Sequence, residues 1–319
     1  MFVKQMAVKL LESYPGLEVF ARKAYWSSDF LINLKKAQRK PSKERARQQF
    51  NTTALFEGLK SIGVARGDLV IIHSSYGELR NHIGDLLGPD GIIDGLMDLV
   101  GEEGTLAFPT HPAYPNEEIS KDTMRDKDFE GVTEYDVRKT RAWTGAIANR
   151  FLQREGVVRS RHPLNSMAAI GPLTKPMMAN NICGNRPTAC GENSSWKYCS
   201  DRRAWIIGLG IDLVHSLTMI HVAEDNNQRH FPPEKWYRER VFTIVDGAFR
   251  ENVIVLERKP MWATHYAERR FRRDLMEEGL LMTTSICDLQ IEYIRDSKKL
   301  IEFLDSKNST QYPYYGVKL

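Results

Sequence analysis

The segment Thr218 to Asp225 reads Thr-Met-Ile-His-Val-Ala-Glu-Asp, with an imidazole three residues before one carboxylate and four before another. Helical positions three and four apart share a face, so His221 can meet Glu224 or Asp225. A carboxylate beside an imidazole holds its tautomer and raises its basicity, which suits a general base. A lone histidine on a helix is more often structural or simply at the surface. One with such a partner, just past the buried strand ending Gly208–Leu209–Gly210, is a better candidate. The spacing is not H-E-x-x-H, so a zinc peptidase has little support.

Other stretches offer weaker chemistry. His73–Ser74–Ser75 closes an apolar strand, where a parallel sheet places its ligands, and two hydroxyls with free backbone N–H groups there suit a phosphate. Gly88–Pro89–Asp90–Gly91 opens a helix, whose N-terminus favours anions, although the same tetrapeptide is an ordinary turn. Arg159–Ser160–Arg161–His162–Pro163, running into Ser166, makes a basic edge that by itself reads as a surface loop. Gly191 to Trp196 is a polar loop of the kind that caps helices or lines sites. The glycine fingerprints of nucleoside triphosphate and dinucleotide sites are missing, as is the G-x-S-x-G elbow. From the residues alone the chain reads as an α/β enzyme with a His–carboxylate site and an anion-binding loop.

The elements that must position these groups follow from the hydrophobic pattern. From about Asn51 helices and strands alternate. Strands are expected at Leu69–His73, Thr105–Phe108, Ser166–Ile170 and Trp205–Leu209, and helices at 53–62, 91–100, 144–154 and 217–226. Such alternation predicts an α/β fold with a largely parallel central sheet. Val241–Val245 and Asn252–Leu256 around Asp246–Gly247 read as a hairpin. A charged helix over 263–278, a strand-like stretch over 280–294 and a closing helix over 298–304 complete the chain. Residues 1–50 form a helical extension ending in the basic run Lys35 to Arg47, and 51–319 form the catalytic domain.

Composition narrows the class. The chain has 319 residues, 42% hydrophobic and 27% charged, enough for a full core without disulfides or metals. No run approaches the ~18 apolar residues of a membrane span, and the N-terminus lacks a signal-peptide pattern, so a cytoplasmic location is expected. Cys183, Cys190, Cys199 and Cys287 include no C-x-x-C pair and are expected as buried reduced thiols. A net charge of +4 is too small to indicate nucleic-acid binding.

Taken in order, several segments resemble the aminoglycoside 3-N-acetyltransferase family. They are Val70 to Ser75, Gly101 to Leu106, Val158 to Pro163 with Ser166 and Gly171–Pro172, Gly191–Glu192 with Ser194, Gly208–Leu209–Gly210, and Thr218 to Glu224. The resemblance implies that family's α/β fold, distinct from the GNAT acetyltransferases. It also implies acetyl-CoA or a longer acyl-CoA as co-substrate, an amine of an amino sugar as acceptor, and neither a permanent cofactor nor a metal. It makes His221 the base and Glu224 its motif carboxylate. It sets His73, Ser74 and Ser75, with Arg159, His162 and Ser166, near the coenzyme A. No covalent enzyme intermediate is implied, which leaves Cys190 without a nucleophilic role. This chain has Ser194–Ser195 where the family often has Ser-Pro. A longer segment between Gly210 and Thr218 brings in His215 as a fallback base.

The acceptor is judged from charge. Clusters at Arg138–Lys139–Arg141, Arg159–Arg161, Arg202–Arg203 and Arg269 to Arg273 favour an anionic acceptor, such as a nucleotide-linked amino sugar. Aminoglycoside acetylation is the alternative, and a catalytically silent nucleotide- or protein-binding member is the remote one. Trp143, Trp196, Trp236 and Tyr237 could shape the pocket or pack in the core. No nucleic-acid or membrane partner is expected, and a homo-oligomer is compatible with the sequence.

Overall fold

A computed structural model describes residues 2–28, 53–83, 87–114, 131–286, 288–308 and 314. The basic run Lys35 to Arg47 and Cys287 lie outside the described residues.

In chain order the elements are α1 (Phe2–Ser13), α2 (Pro15–Ser27), α3 (Thr53–Ser61), β1 (Leu69–Ser74), α4 (Tyr76–Ile83), α5 (Pro89–Val100), β2 (Thr105–Pro109) and β3 (Val132–Asp136). Then come α6 (Ala146–Phe151), β4 (Val158–Arg159), β5 (Met167–Ile170), α7 (Thr174–Met178), α8 (Ser195–Asp201), β6 (Trp205–Leu209), α9 (Leu213–Ser216), α10 (Ile220–Asp225) and α11 (Pro233–Trp236). The chain closes with β7 (Tyr237–Asp246), β8 (Phe249–Arg258), a 3-10 turn (Pro260–His265), α12 (Glu268–Glu277), β9 (Met282–Ile286), β10 (Leu289–Ile294) and α13 (Ser297–Asn308).

Seven strands form one sheet in the order β4-β5-β2-β1-β6-β10-β9. The α/β class is the one expected. Parallel pairing is confined to its centre, where β1 lies between β2 and β6, and the sheet continues antiparallel on both sides. Because the three central strands run together, their carboxyl ends at Ser74, Pro109 and Leu209 share one edge of the sheet.

Alternation along a strand decides which residue faces which layer. Val70 and Ile72 of β1 pack with Leu55, Leu59, Ile92 and Leu96 of α3 and α5. Leu69 and Ile71 pack on the opposite face with Trp196 of α8, Phe271 of α12 and Leu300 of α13. Both faces are therefore covered, and the strands are near-continuous apolar runs rather than alternating ones. At Gly171 (φ +123°) a Cβ would lie 2.3 Å from the Gly104 carbonyl oxygen, so only glycine lets β5 turn this close to the start of β2. A smaller sheet, β3-β7-β8, has its own core of Tyr135, Phe242, Ile244 and Val255.

Several expected elements differ in detail. The helix expected over 217–226 is the shorter α10, Ile220–Asp225, and a separate one-turn helix, α9, precedes it, capped by Asp212 accepting the His215 N–H. The 280–294 stretch is a hairpin, turned at Asp288 (φ +58°). The 263–278 helix breaks at Tyr266–Ala267, where the Ala267 N–H donates to the Tyr314 carbonyl at 2.6 Å. The N-terminal helices dock on the C-terminal third: Glu18 is buried and accepts from Arg269 Nη1 at 2.7 Å, while Arg22 pairs with Glu268 at 2.5 Å.

Candidate active site

The carboxyl-end edge of the sheet gathers three imidazoles. His73 follows Leu69 and Ile71 in the alternation and so faces the α8 side, where its ring lies 6.3 Å from that of Trp196. His111 stands just past the end of β2, with its ring also 6.3 Å from Trp196 and 5.3 Å from the exposed Trp143. His221 begins α10 just past β6, close enough for its charge to bear on His111.

Among these three, His221 alone has a carboxylate partner among the described hydrogen bonds. Its Nδ1–H donates to Glu224 Oε2 at 2.7 Å, as the i to i+3 spacing requires. The Glu224 side chain is fully buried, whereas that of His221 is about a quarter exposed. With Nδ1 as donor, Nε2 carries the lone pair and can take a proton. Beneath them Arg258 Nη2 donates to Glu224 Oε2 at 2.7 Å and to Asp225 Oδ1 at 2.5 Å, and the guanidinium also lies against His221 Nδ1. Asp225, the other carboxylate within helical reach of His221, is occupied elsewhere. It accepts from Tyr237 Oη at 2.6 Å and from the Cys190 N–H at 2.9 Å. The Gly191 loop is thus tied to α10 through backbone groups, with Asn226 Nδ2 donating to the Cys190 carbonyl at 3.0 Å.

The other two imidazoles are held uncharged. Burial lowers His73 to about 4 and His111 to about 3, the latter with help from the His73, His221 and Arg159 charges. The Nε2 atom of each is buried without a hydrogen-bond partner among the described residues. Among those residues no cluster of three or more His, Cys, Asp or Glu could hold a metal ion.

Ser74 is half-buried at the β1 edge, and Ser75 opens α4, its Oγ accepting the Glu78 N–H at 3.4 Å. Arg159 and Ser166 instead form a buried anchor. The guanidinium donates to Ser166 Oγ at 3.1 Å and to the Thr140 and Thr110 carbonyls at 2.5 Å each. Ser166 Oγ donates to the same Thr110 carbonyl at 2.7 Å. His162 is buried with Nδ1 and Nε2 against the Leu164 and Pro187 carbonyls, and burial lowers its pKa. The polar side-chain atoms of these three residues, expected near coenzyme A, are engaged within the protein.

His215, the fallback base, sits on α9 and pairs with Glu268 at 3.0 Å, in the ion-pair group that includes Arg22 of α2. Cys190 and Cys199 are buried, but Cys183 is exposed, against expectation. Burial pushes the Cys190 thiol well above its usual range, so it is a poor nucleophile. Trp196 and Trp236 are core residues, while Trp143 is 62% exposed.

Two site residues were missed in the sequence. His111 sits at the end of β2 as His73 does at the end of β1, so the strand-end rule applied a second time would have found it. Arg258 comes from a hairpin far along the chain and leaves no local signal.

Residues 71–306 match the family model described as aminoglycoside 3-N-acetyltransferase, and the chain belongs to that family. Aminoglycoside N(3)-acetyltransferase VIII of Streptomyces fradiae is 28% identical over 187 residues, covering 57% of this chain and 63% of that protein. An SPbeta prophage-derived aminoglycoside N(3')-acetyltransferase-like protein of Bacillus subtilis is 27% identical over 241 residues, covering 70% and 77%. The chain therefore spans rather less than two thirds of the first relative and more of the second. Among solved structures, AAC-IIIb in binary complex with CoASH aligns with a TM-score of 0.66 at 19% identity, covering 85% of this chain and 100% of that one. A histidine-to-alanine mutant of AAC(3)-IVa in complex with apramycin aligns with a TM-score of 0.60 at 20% identity, covering 83% and 95%. At these identities the two structures speak to the fold, which is the family fold expected. Among the described residues no helix is long and apolar enough to cross a membrane.

Proposed function

We propose that this chain is an acyl-CoA-dependent N-acyltransferase that acetylates an amine of an aminoglycoside, with His221 as general base. The observation that carries the reading is the His221–Glu224 pair, with Nδ1 engaged and Nε2 left for the acceptor, at the edge where parallel strands place ligands. An amino-sugar amine is largely protonated in water and cannot attack a thioester in that state. The acceptor reacts as the free amine, its first proton having gone to solvent, and His221 Nε2 takes the second as the nitrogen attacks, while Glu224 stabilises the imidazolium. The acyl donor lies along the β1 edge, where His73, Ser74 and Ser75 line the entry to α4. Acetyl-CoA is a co-substrate here and not a resident group.

The aminoglycoside replaces the nucleotide-linked amino sugar as the preferred acceptor for two reasons. The named relatives are aminoglycoside acetyltransferases. The basic clusters that argued for an anionic acceptor are also largely paired. Arg138 and Arg161 meet Asp246, Arg203 meets Asp296, and Arg269, Arg270, Arg272 and Arg273 each meet a carboxylate. Arg159 is spent on backbone carbonyls.

The test is thiol release from acetyl-CoA with an aminoglycoside panel beside a panel of nucleotide-linked amino sugars. Turnover on aminoglycosides that falls by roughly a hundred- to ten-thousandfold in His221→Ala supports the reading. Turnover confined to the nucleotide sugars overturns the acceptor assignment, and no thiol release from either panel overturns the activity.

A further inference from the structure

We propose that His111 is a second catalytic residue of this site, donating from Nε2–H to the oxyanion that forms on the thioester carbonyl; this rests on the acyl-transfer reading above. A buried polar atom without a partner is costly, and nearly all such atoms in folded proteins are satisfied. His111 is 92% buried by its 8% exposure, yet its Nε2 has no partner among the described residues. A group left unsatisfied at the carboxyl edge of a parallel sheet, at the end of the chain's β2 strand, calls for a ligand atom.

The position of His111 is built. The Thr110 carbonyl, one residue before it, accepts from Arg159 Nη2 at 2.5 Å and from Ser166 Oγ at 2.7 Å. The Thr110 N–H donates to the Ser166 carbonyl at 2.8 Å, and the His111 carbonyl accepts the Trp143 N–H at 2.9 Å. Its ring is bracketed by Trp196 and Trp143. A donor fixed before the reaction costs little reorganisation when charge appears, which is the basis of oxyanion stabilisation.

The charge state fits the role. The imidazole stays neutral at working pH, so it does not compete with His221 for the acceptor's proton. A neutral imidazole can still polarise a carbonyl as a hydrogen-bond donor. In the step, the amine nitrogen attacks the thioester carbon and a C–N bond forms. The C=O π pair moves to oxygen, which His111 Nε2–H holds. His221 Nε2 takes a proton from the nitrogen. The oxyanion then collapses, C=O re-forms, the C–S bond breaks, and the thiolate of coenzyme A leaves and takes the proton from His221. His73 also has an unpartnered Nε2, but His73 lies within β1, whereas His111 stands past the end of β2 against the exposed Trp143.

The experiment measures kcat and both KM values with acetyl-CoA and an aminoglycoside for the unsubstituted protein, His111→Ala, His111→Gln and His221→Ala. Loss of one oxyanion donor lowers kcat by roughly a hundred- to a thousandfold. That loss is expected in His111→Ala with both KM values within about threefold, and His111→Gln, which restores an N–H, should recover about tenfold or more. An unchanged kcat in His111→Ala, or a loss confined to KM that glutamine does not repair, overturns the proposal. If the unsubstituted protein turns over, His221→Ala does not, and His111→Ala is normal, only this inference fails. If the unsubstituted protein releases no thiol, the acyl-transfer reading fails and takes this one with it. Nitrogen-15 NMR of the unsubstituted protein gives a readout independent of the fold of the variants. The His111 Nε2–H proton should move downfield on adding a ketone analogue of acetyl-CoA, and an unmoved proton also overturns the proposal.

Discussion

Glu224→Gln is the substitution that most directly tests how the base is held. The change keeps the side-chain volume and removes one buried negative charge. Glu224 meets His221 Nδ1 and Arg258 Nη2, each at 2.7 Å. When His221 takes the acceptor's proton, an imidazolium forms beside that carboxylate. Two opposite charges about 4 Å apart attract by roughly 4 kcal/mol at an effective dielectric near 20, and a hydrogen bond to a charged group is worth about 1.5–3 kcal/mol net. A loss of about 2–4 kcal/mol in the transition state corresponds to roughly a thirty- to thousandfold fall in kcat. Glutamine adds a second fault. If its amide N–H points at Nδ1, the ring is locked with Nε2 protonated and cannot act as a base. The fall should therefore lie in kcat and persist across the pH range in which the unsubstituted protein is active. Steady-state thiol release from pH 6 to 9, with unfolding melts as a check of structure, measures it. A variant within threefold of the parent kcat would refute the role given to Glu224.

Acid stability tests the buried imidazoles. His73 sits at about 4 and His111 at about 3 because burial disfavours their charged forms, whereas the unfolded chain protonates histidine near 6.5. Below pH 6.5 the unfolded state therefore binds more protons. The contribution of these two groups is full above that pH and is lost on acidification, by about 4 kcal/mol in total at pH 5. Urea midpoints that stay constant between pH 7 and 5 would contradict this. Arg159→Met should cost roughly 3–6 kcal/mol in urea unfolding, because the Thr110 and Thr140 carbonyls lose a buried donor. A cost below about 1 kcal/mol would remove its anchoring role. Cys190→Ala should keep kcat within about threefold, since the residue serves through its backbone N–H and carbonyl. Iodoacetamide followed by mass spectrometry should modify the exposed Cys183 before Cys190.

The parts of the fold that were legible in sequence are those where one local rule dominates. Trp205–Leu209 is buried on both faces, and its apolar run marks it as a central strand without any partner in view. The His221–Glu224 pair needs only helical spacing, and α10, although short, supplies it. β3 was not legible, because only Tyr135 in Val132–Asp136 is buried and its partner β7 lies about a hundred residues later. The 217–226 helix was overdrawn because periodicity does not see the non-helical backbone at Leu217 (φ −78°, ψ 75°), which ends α9 and leaves α10 to begin at Ile220. The basic clusters misled for a similar reason. Composition counts charges, whereas their partners, such as Asp246 for Arg138 and Arg161, are fixed by tertiary contact.

The same distinction explains the two motifs taken as coenzyme A contacts. His73–Ser74–Ser75 and Arg159 to Ser166 look alike in sequence, since both are polar stretches at strand ends. The first is at the carboxyl end of a parallel strand and opens a helix. The second belongs to the antiparallel strands β4 and β5, and its polar groups turn inward to grip the Thr110 carbonyl. A buried arginine is costly unless its hydrogen bonds hold something in place, and one of the carbonyls Arg159 holds, that of Thr110, is next to His111. In the proposed site the work divides by environment: His221, paired with a carboxylate and partly exposed, would move protons, and His111, buried and neutral, would present a hydrogen bond. On that proposal Arg159 acts through position, by holding the Thr110 carbonyl next to His111. Arg159→Lys, which keeps the charge but loses the planar fork, should lower kcat more than it lowers binding of acetyl-CoA. Equal losses in both, measured by turnover and calorimetry on the same preparation, would mean that the arginine contacts the coenzyme after all.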